Sequence, residues 1–289
     1  MGRLGRKLGV EEPYDRCGEA WGHYTDYDSP YQIGELISKW AVAWMALWML
    51  CALGSKFAIR SRLPASSKAR ENHSCYIGQK LASWFKCVLV AALANAALRD
   101  MCLLRPGNIF AGHQMTELAG VHFTAFEIAD LVLSGMYGFL DNEHIVHHVI
   151  HIVLGLIIRG KCGPAFTAAI LMAQETSGIF LNYFLLMRYR APSHWSVLGA
   201  QALFALAFFI WRLGLGTWGT LAYWRDFPPA PSAYSHNLAI TLGVALVLAT
   251  VLQWYWGIFI VRSVKRALTP SDKPGRNRDS AYAEFSKAS

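Results

Sequence analysis

Residues 238–261 read LAITLGVALVLATVLQWYWGIFIV, a long apolar run without a charged side chain. A helix needs about 20 apolar residues to cross a hydrocarbon core about 30 Å thick. Because lipid offers the backbone no hydrogen-bond partners, a segment inside it has to satisfy its own polar groups, and a helix does so. The run lacks the alternating pattern of a barrel strand. It therefore predicts a membrane-spanning helix.

Six further stretches have the same apolar character. They are residues 33–53, 83–104, 118–140, 141–158, 165–187 and 197–217. The composition agrees, because 54% of the 289 residues are hydrophobic and only 16% are charged, against about 25% in soluble domains. This balance excludes an ordinary soluble fold and extensive disorder. The sequence predicts an all-α, polytopic membrane protein with seven transmembrane helices.

Lys and Arg are unevenly distributed between the two sides of the predicted membrane. The first loop and the C-terminal tail carry the excess, which places them in the cytosol and the N-terminus in the lumen. We expect a protein of the endoplasmic reticulum or another endomembrane. Its predicted parts are a lumenal polar segment (1–32), a first helix with a basic cytosolic linker (33–77), a main membrane domain (78–268) and a disordered cytosolic tail (269–289). The net charge of +8 comes without a nucleic-acid-binding module.

Several predicted spans contain ionisable residues, each of which costs about 2.5–3.5 kcal/mol at mid-bilayer. Glu127 and Asp130 lie three residues apart on one face of the third span, and Tyr137 continues that face. The fifth span carries Glu175 and Asn182 on one face. The fourth span has a histidine stripe at spacing i, i+3, i+4, i+7. The stripe consists of His144, His147, His148 and His151.

These polar residues fall at similar depths. Asp130, the pair His147 and His148, and Glu175 each lie within about three residues of the centre of their span, or about 5 Å at 1.5 Å per residue. We expect them to point inward, around a shared polar cavity, because facing lipid would be costly. The alternative is a buried polar network that only locks helix packing. Arg212, late in the sixth span, is expected to snorkel to the interface.

Histidine beside a carboxylate is suited to acid, base or nucleophilic chemistry. Proton removal from an amine or hydroxyl that attacks an acyl thioester fits these residues, and so does proton transport. Metal binding is a third interpretation. H-x-x-H-H at 144–148 matches one histidine box of di-iron membrane hydroxylases. Two of the histidines together with Glu175 would suit one zinc ion. Those hydroxylases need several boxes, and the sequence has no second one. We expect no metal and no bound cofactor.

Three short motifs connect the sequence with a known family. They are FEIADL at 126–131, Asp141-x-x-His144-x-x-His147-His148, and QETSGIFLN at 174–182. With them the chain resembles the TLC-domain family, which includes ceramide synthases, a translocon-associated protein and a cargo receptor. The resemblance covers residues 78–268 and implies a six-helix barrel made of spans two to seven, with the first span peripheral. Gln174-Glu175 stands where ceramide synthases have His-Asp, so the chain is more similar to the other members.

The resemblance also implies a function. In ceramide synthases the histidine pair is implicated in moving an acyl chain from coenzyme A to a sphingoid amine. By analogy His147 and His148 are the expected catalytic residues, with Asp130 and Glu175 orienting them and acyl-CoA as co-substrate. The expected substrate-binding residues are Glu127, Tyr137, His144, His151 and Asn182.

The expected partners are membrane lipids and, in a homodimer, a second copy of the chain. The alternative function is a non-catalytic protein of lipid binding, membrane homeostasis or trafficking that uses the same cavity.

Overall fold

The computed structural model describes residues 30–58, 73–103, 114–160, 165–187, 194–225 and 233–268. Within these ranges the secondary structure is helical and contains no strand. Most of the predicted lumenal segment 1–32, the centre of the basic linker and the whole tail 269–289 lie outside the described residues.

Nine α-helices and one π-helix make up the described chain. They are α1 (Pro30–Ala58), α2 (His73–Leu103), α3 (Gln114–Met136), α4 (Asn142–Gly160), α5 (Ala165–Ala173), α6 (Glu175–Met187), α7 (Trp195–Ala207), the π-helix (Phe208–Leu215), α8 (Gly216–Arg225) and α9 (Ala233–Leu268). Taken with their continuations, six helical segments are long and apolar enough to cross a membrane. The prediction of an all-α polytopic membrane protein is confirmed.

The helix of the histidine stripe, α4, is shorter in its apolar part than the other spans. Among the residues whose side chains the structure describes, that part is His144–Leu156, or about 20 Å at 1.5 Å per residue, and the sequence continues with Ile157 and Ile158. Asp141 caps the helix, since its Oδ1 accepts the backbone N–H of His144 at 2.8 Å. The polar N-terminal turn and the histidines that follow it account for the short apolar length.

Two predicted spans contain interruptions that hydropathy does not show. The span 165–187 divides at Gln174, whose carbonyl accepts both the backbone N–H of Ser177 at 3.1 Å and its hydroxyl at 2.9 Å. As a result α6 begins at Glu175, inside the span, and its positive dipole end meets a carboxylate. The span 197–217 includes the π-helix Phe208–Leu215, a rare element found mostly as short bulges, often at functional sites.

Six spans are arranged in a ring. α2 packs against α3 and α6, α3 against α4, and α6 against α7. α9 completes the ring: it contacts the π-helix and α8, and its Leu242 and Leu246 cluster with Leu154 of α4. α1 lies outside, against α2 and α3, where the Trp48 indole donates to the Cys75 carbonyl at 2.9 Å. This arrangement is the expected six-helix barrel with a peripheral first helix.

The outer surface of the ring is apolar. On α4 the side chains of Val146, Val149 and Val153 are exposed, whereas His148 on the same helix is buried. A helix with apolar residues outside and polar residues inside is suited to a bundle surrounded by lipid. The histidines therefore face the interior of the barrel.

Candidate functional site

A cavity of about 660 Å³ lies inside the barrel, within the usual size range of ligand pockets. Its lining comes from α2, α3, α4, α6, α7, the π-helix and α9. The predicted convergence of α3, α4 and α6 on one cavity is thus observed. The predicted site residues that line it are Glu127, Asp130, His144, His147, His148, Glu175 and Asn182.

Asp130 of α3 lies against two histidines of α4. Its Oδ2 is 2.9 Å from Nε2 of His144 and 2.9 Å from Nε2 of His148. Its other oxygen, Oδ1, accepts a hydrogen bond from the Gln79 side-chain amide at 3.2 Å. The two imidazole rings are stacked, with centroids 4.0 Å apart and planes inclined by 2°, because residues at i and i+4 lie one above the other on a helix.

Glu127, on the same face of α3 as Asp130, is linked to two other helices. Its Oε2 is 3.0 Å from Nε2 of His148, and its Oε1 is 3.4 Å from Nζ of Lys86. The same Nζ lies 2.7 Å from Oε2 of Glu175. All of these side chains are buried. Lys86 thus joins an acid of α3 to an acid of α6 through one cation, which offsets part of the cost of burying both carboxylates.

Glu175 contacts cations and a thiol rather than the histidines it was expected to orient. The Cys87 thiol donates to its Oε2 at 3.0 Å, and Nη2 of Arg212 lies 4.0 Å from its Oε1. The Nε of Arg212 also donates to the Ser177 hydroxyl at 2.8 Å. Glu175 therefore organises the side of the cavity formed by α2, α6 and the π-helix.

His147 has different surroundings from His148. Its ring lies 4.1 Å from that of His151 and 6.0 Å from that of Trp256, measured between centroids. Within the part of the chain that the structure describes, no ion pair joins His147 to a carboxylate. A cavity-lining imidazole without an acid partner is free to interact with a substrate.

Three predicted substrate-binding residues have mainly structural contacts. Tyr137 follows the end of α3, so it leaves the polar face of that helix and places its hydroxyl 3.6 Å from the Met49 sulfur of α1. His151 packs edge-on against Phe123, with centroids 5.3 Å apart. Neither of these two lines the cavity. Asn182 lines it, but its amide donates to the Gly178 carbonyl at 2.9 Å.

Part of the cavity wall is apolar. It is formed by Leu181, Leu185, Phe204, Phe208 and Phe259. The cavity therefore combines charged groups, imidazoles and a hydrocarbon-like surface. This combination suits an amphipathic ligand better than a small polar one.

Sequence reasoning missed Lys86 and Cys87 and misplaced Arg212. Gln79, Ser83 and Lys86 follow the spacing i, i+4, i+7, a polar stripe on one helix face that would have identified the lysine. The prediction that Arg212 snorkels to the interface is wrong, because its side chain turns inward to Ser177 and Glu175. It lies within the π-helix, whose wider turn changes the direction of its side chains.

The fold and the site define a polytopic helical membrane protein with a charged intramembrane cavity. The TLC domain of the TRAM, LAG1 and CLN8 family matches residues 72–262, more than half of the chain, and the protein belongs to this family. The match begins just before α2 and leaves out α1, in agreement with the position of α1 outside the ring. The sequence matches no curated protein and no solved structure.

Proposed function

We propose that the protein transfers an acyl chain from acyl-CoA to the amine or hydroxyl group of a membrane lipid inside the barrel. The observation that supports this most directly is the difference between neighbouring histidines. His148 is held by Asp130 and Glu127, whereas His147 lines the cavity and forms no ion pair with an acid among the described residues. An imidazole within reach of a substrate proton is an effective general base near neutral pH.

In the proposed reaction His147 takes the proton of the amine or hydroxyl as that atom attacks the thioester carbonyl carbon. A C–N or C–O bond forms, and the C–S bond breaks when the tetrahedral intermediate collapses. His147 then gives its proton to the departing sulfur of coenzyme A. The products are the acylated lipid and free coenzyme A, and His147 returns to its starting state.

The shape of the cavity supports an entry from one end. Lys80, early in α2, and Asp141 and Asn142, at the start of α4, line the cavity, and Asp141 and Asn142 are exposed. In the orientation we propose, with the N-terminus in the lumen of the endoplasmic reticulum or another endomembrane, this end faces the cytosol. Acyl-CoA would approach there and place its chain against the apolar wall.

Product formation by the purified protein tests this proposal. The full chain in nanodiscs is incubated with an acyl-CoA and an acceptor lipid in the same reaction. A long-chain base and a lipid alcohol are tested as acceptors in separate reactions. His147→Ala should lower the rate by about 100-fold or more, as expected for loss of a general base. Val149→Ala, on the exposed face of the same helix, should leave the rate unchanged. Equal rates for His147→Ala and the wild type would refute the proposed role of His147.

A non-catalytic lipid-binding role is the second candidate. Each of the three buried carboxylates already contacts a cation or a histidine: Glu127 and Glu175 meet Lys86, and Asp130 meets two histidines. Such a network stabilises packing and leaves the cavity to a lipid. Native mass spectrometry separates the two functions. An exchangeable intact lipid without acylated product supports binding alone, and turnover supports the transferase.

A further inference from the structure

We propose that Asp130, His144 and His148, with Glu127 beside them, bind a divalent first-row transition-metal ion of the Zn²⁺ type in the wall of the cavity. This site goes beyond the proposed acyl transfer, because metal binding does not depend on that reaction. It also differs from the metal-free site expected from the sequence. Sequence reasoning weighed the histidines only with Glu175 or with further histidine boxes, and the structure pairs them with acids of α3 instead.

The ligand atoms already lie close together. Oδ2 of Asp130 and Nε2 of His144 and His148 are all within 4.8 Å of one another, and Oε2 of Glu127 is 3.0 Å from Nε2 of His148. A tetrahedral ion with bonds of 2.0–2.1 Å needs ligand separations of about 3.3 Å. The closest pairs, at 2.9 and 3.0 Å, reach that value by movements of a few tenths of an ångström, and binding also requires one of the stacked imidazoles to turn so that both Nε2 atoms point at the ion.

The surroundings of these atoms resemble those of metal ligands. Nδ1 of His148 lies 2.9 Å from the His144 carbonyl oxygen. A carbonyl only accepts, so Nδ1 carries a hydrogen, and Nε2, once it has lost its own hydrogen to a binding cation, would present its lone pair on the side of the two acids. The other oxygen of Asp130 accepts from Gln79 at 3.2 Å. In metal sites a ligating histidine usually donates its other ring N–H to a carbonyl or carboxylate, and a ligating carboxylate usually accepts a further hydrogen bond.

One buried acceptor of this cluster lacks a hydrogen bond. The buried Oε2 of Glu127 has no hydrogen bond within the described residues. A hydrogen on Nε2 of His148 that points to Asp130 leaves the buried Oε2 of Glu127 unsatisfied at a cost of about 1–3 kcal/mol, whereas one that points to Glu127 leaves Asp130 with His144 as its histidine partner. One cation held by Asp130, His144 and His148 would interact with all three at once and would attract the Glu127 carboxylate beside it.

The chain supplies these ligands in an arrangement familiar from zinc enzymes. His144 and His148 are spaced i, i+4 on one face of α4, the spacing by which a helix presents two imidazoles to one ion. Glu127 and Asp130 are spaced i, i+3 on the facing helix α3. Because the site lies in the cavity wall, an ion held there has room for a further ligand from the cavity. His147 remains outside the ligand set.

Metal analysis of the full chain tests the inference. The protein is purified in detergent without chelators, its metal content is measured by mass spectrometry, and the stripped protein is titrated with Zn²⁺ alone. We expect about one ion per chain. We expect Asp130→Asn and His144→Ala each to weaken Zn²⁺ binding by at least about tenfold. His147→Ala should bind Zn²⁺ like the wild type even if it abolishes acyl transfer, so that the two proposals can fail separately.

A second measurement avoids variants that do not fold. Co²⁺ added to the stripped wild-type protein should give the visible absorption of a tetrahedral nitrogen and oxygen site, and Zn²⁺ should displace it. Absence of this band together with no bound Zn²⁺ in the wild type overturns the inference. Wild-type affinity in folded Asp130→Asn and His144→Ala overturns it as well.

Discussion

Lys86 holds the two halves of the polar interior together. Its ammonium contacts carboxylates of α3 and α6 and lies 4.9 Å from the ring centroid of Phe123 and 5.1 Å from that of Phe126. Both aromatic faces attract a cation in a desolvated site. A single side chain thus supplies a positive charge that two buried acids share.

Replacing Lys86 by Met should destabilise the protein. The change leaves Glu127 and Glu175 without their shared cation, and loss of one partner of a buried ion pair costs about 3–5 kcal/mol. Thermal unfolding in detergent would show a lower Tm for Lys86→Met. The double variant Lys86→Met with Glu175→Gln should recover part of the loss, because one uncompensated charge is then removed. An unchanged Tm for the single variant would contradict this role.

Individual site residues were predictable where the helical pattern is regular. The spacing of Glu127 and Asp130 and of the histidines predicted inward faces, and the structure joins the two acids to His144 and His148 at 2.9–3.0 Å. The partner of Glu175 was not predictable in this way. Which cation it meets depends on how α2 and the π-helix pack against α6, a property of the assembled ring.

The close contact between α6 and α2 depends on a glycine, Gly178, which has no side chain. At Gly178 an added Cβ would lie 2.6 Å from the Cys87 sulfur and 3.4 Å from Oε2 of Glu175. A glycine here lets the two helices approach closely enough for the Lys86–Glu175 contact. Small residues at helix interfaces serve the same purpose in membrane proteins generally.

Gly178→Val should therefore separate α2 from α6 and lower the Tm, since overpacking costs about 1–3 kcal/mol. Gly199→Val is the matched control, because an added Cβ at Gly199 meets no atom within 4 Å. Thermal unfolding of both variants in the same detergent is the measurement. A similar Tm for the two variants would show that the helices are not held at this distance by Gly178.

The positions of the membrane-spanning helices could be predicted from the hydropathy of the sequence, whereas the interruptions within them could not. The apolar runs located every span because burial in lipid depends mainly on composition. The turn at Gln174 and the π-helix Phe208–Leu215 depend on side-chain contacts from neighbouring helices, such as Arg212 to Ser177. Such contacts leave no periodic trace in the sequence.

The whole chain is predicted to cross the membrane seven times, with α4 as the crossing that most needs a test. If α4 crosses, the termini lie on opposite sides; if it does not, they share one side. We expect a tag at the N-terminus to be protected from protease in intact microsomes and a tag at the C-terminus to be cleaved. A tag within the predicted cytosolic linker 59–72 provides the control for accessibility. Equal protection of both termini would mean that α4 does not cross.

The short apolar part of α4 also has a consequence for the surrounding lipid. Its length is about 20 Å. The hydrocarbon core of the endoplasmic reticulum membrane is about 27 Å thick, and that of the plasma membrane is about 32–33 Å thick, so the apolar part of α4 is shorter than both. If α4 crosses, the bilayer beside it has to become thinner, and the energy of this hydrophobic mismatch grows with thickness. The protein should consequently sort to thin, sterol-poor compartments, where lipid headgroups at the deformed edge come closer to the level of the histidines.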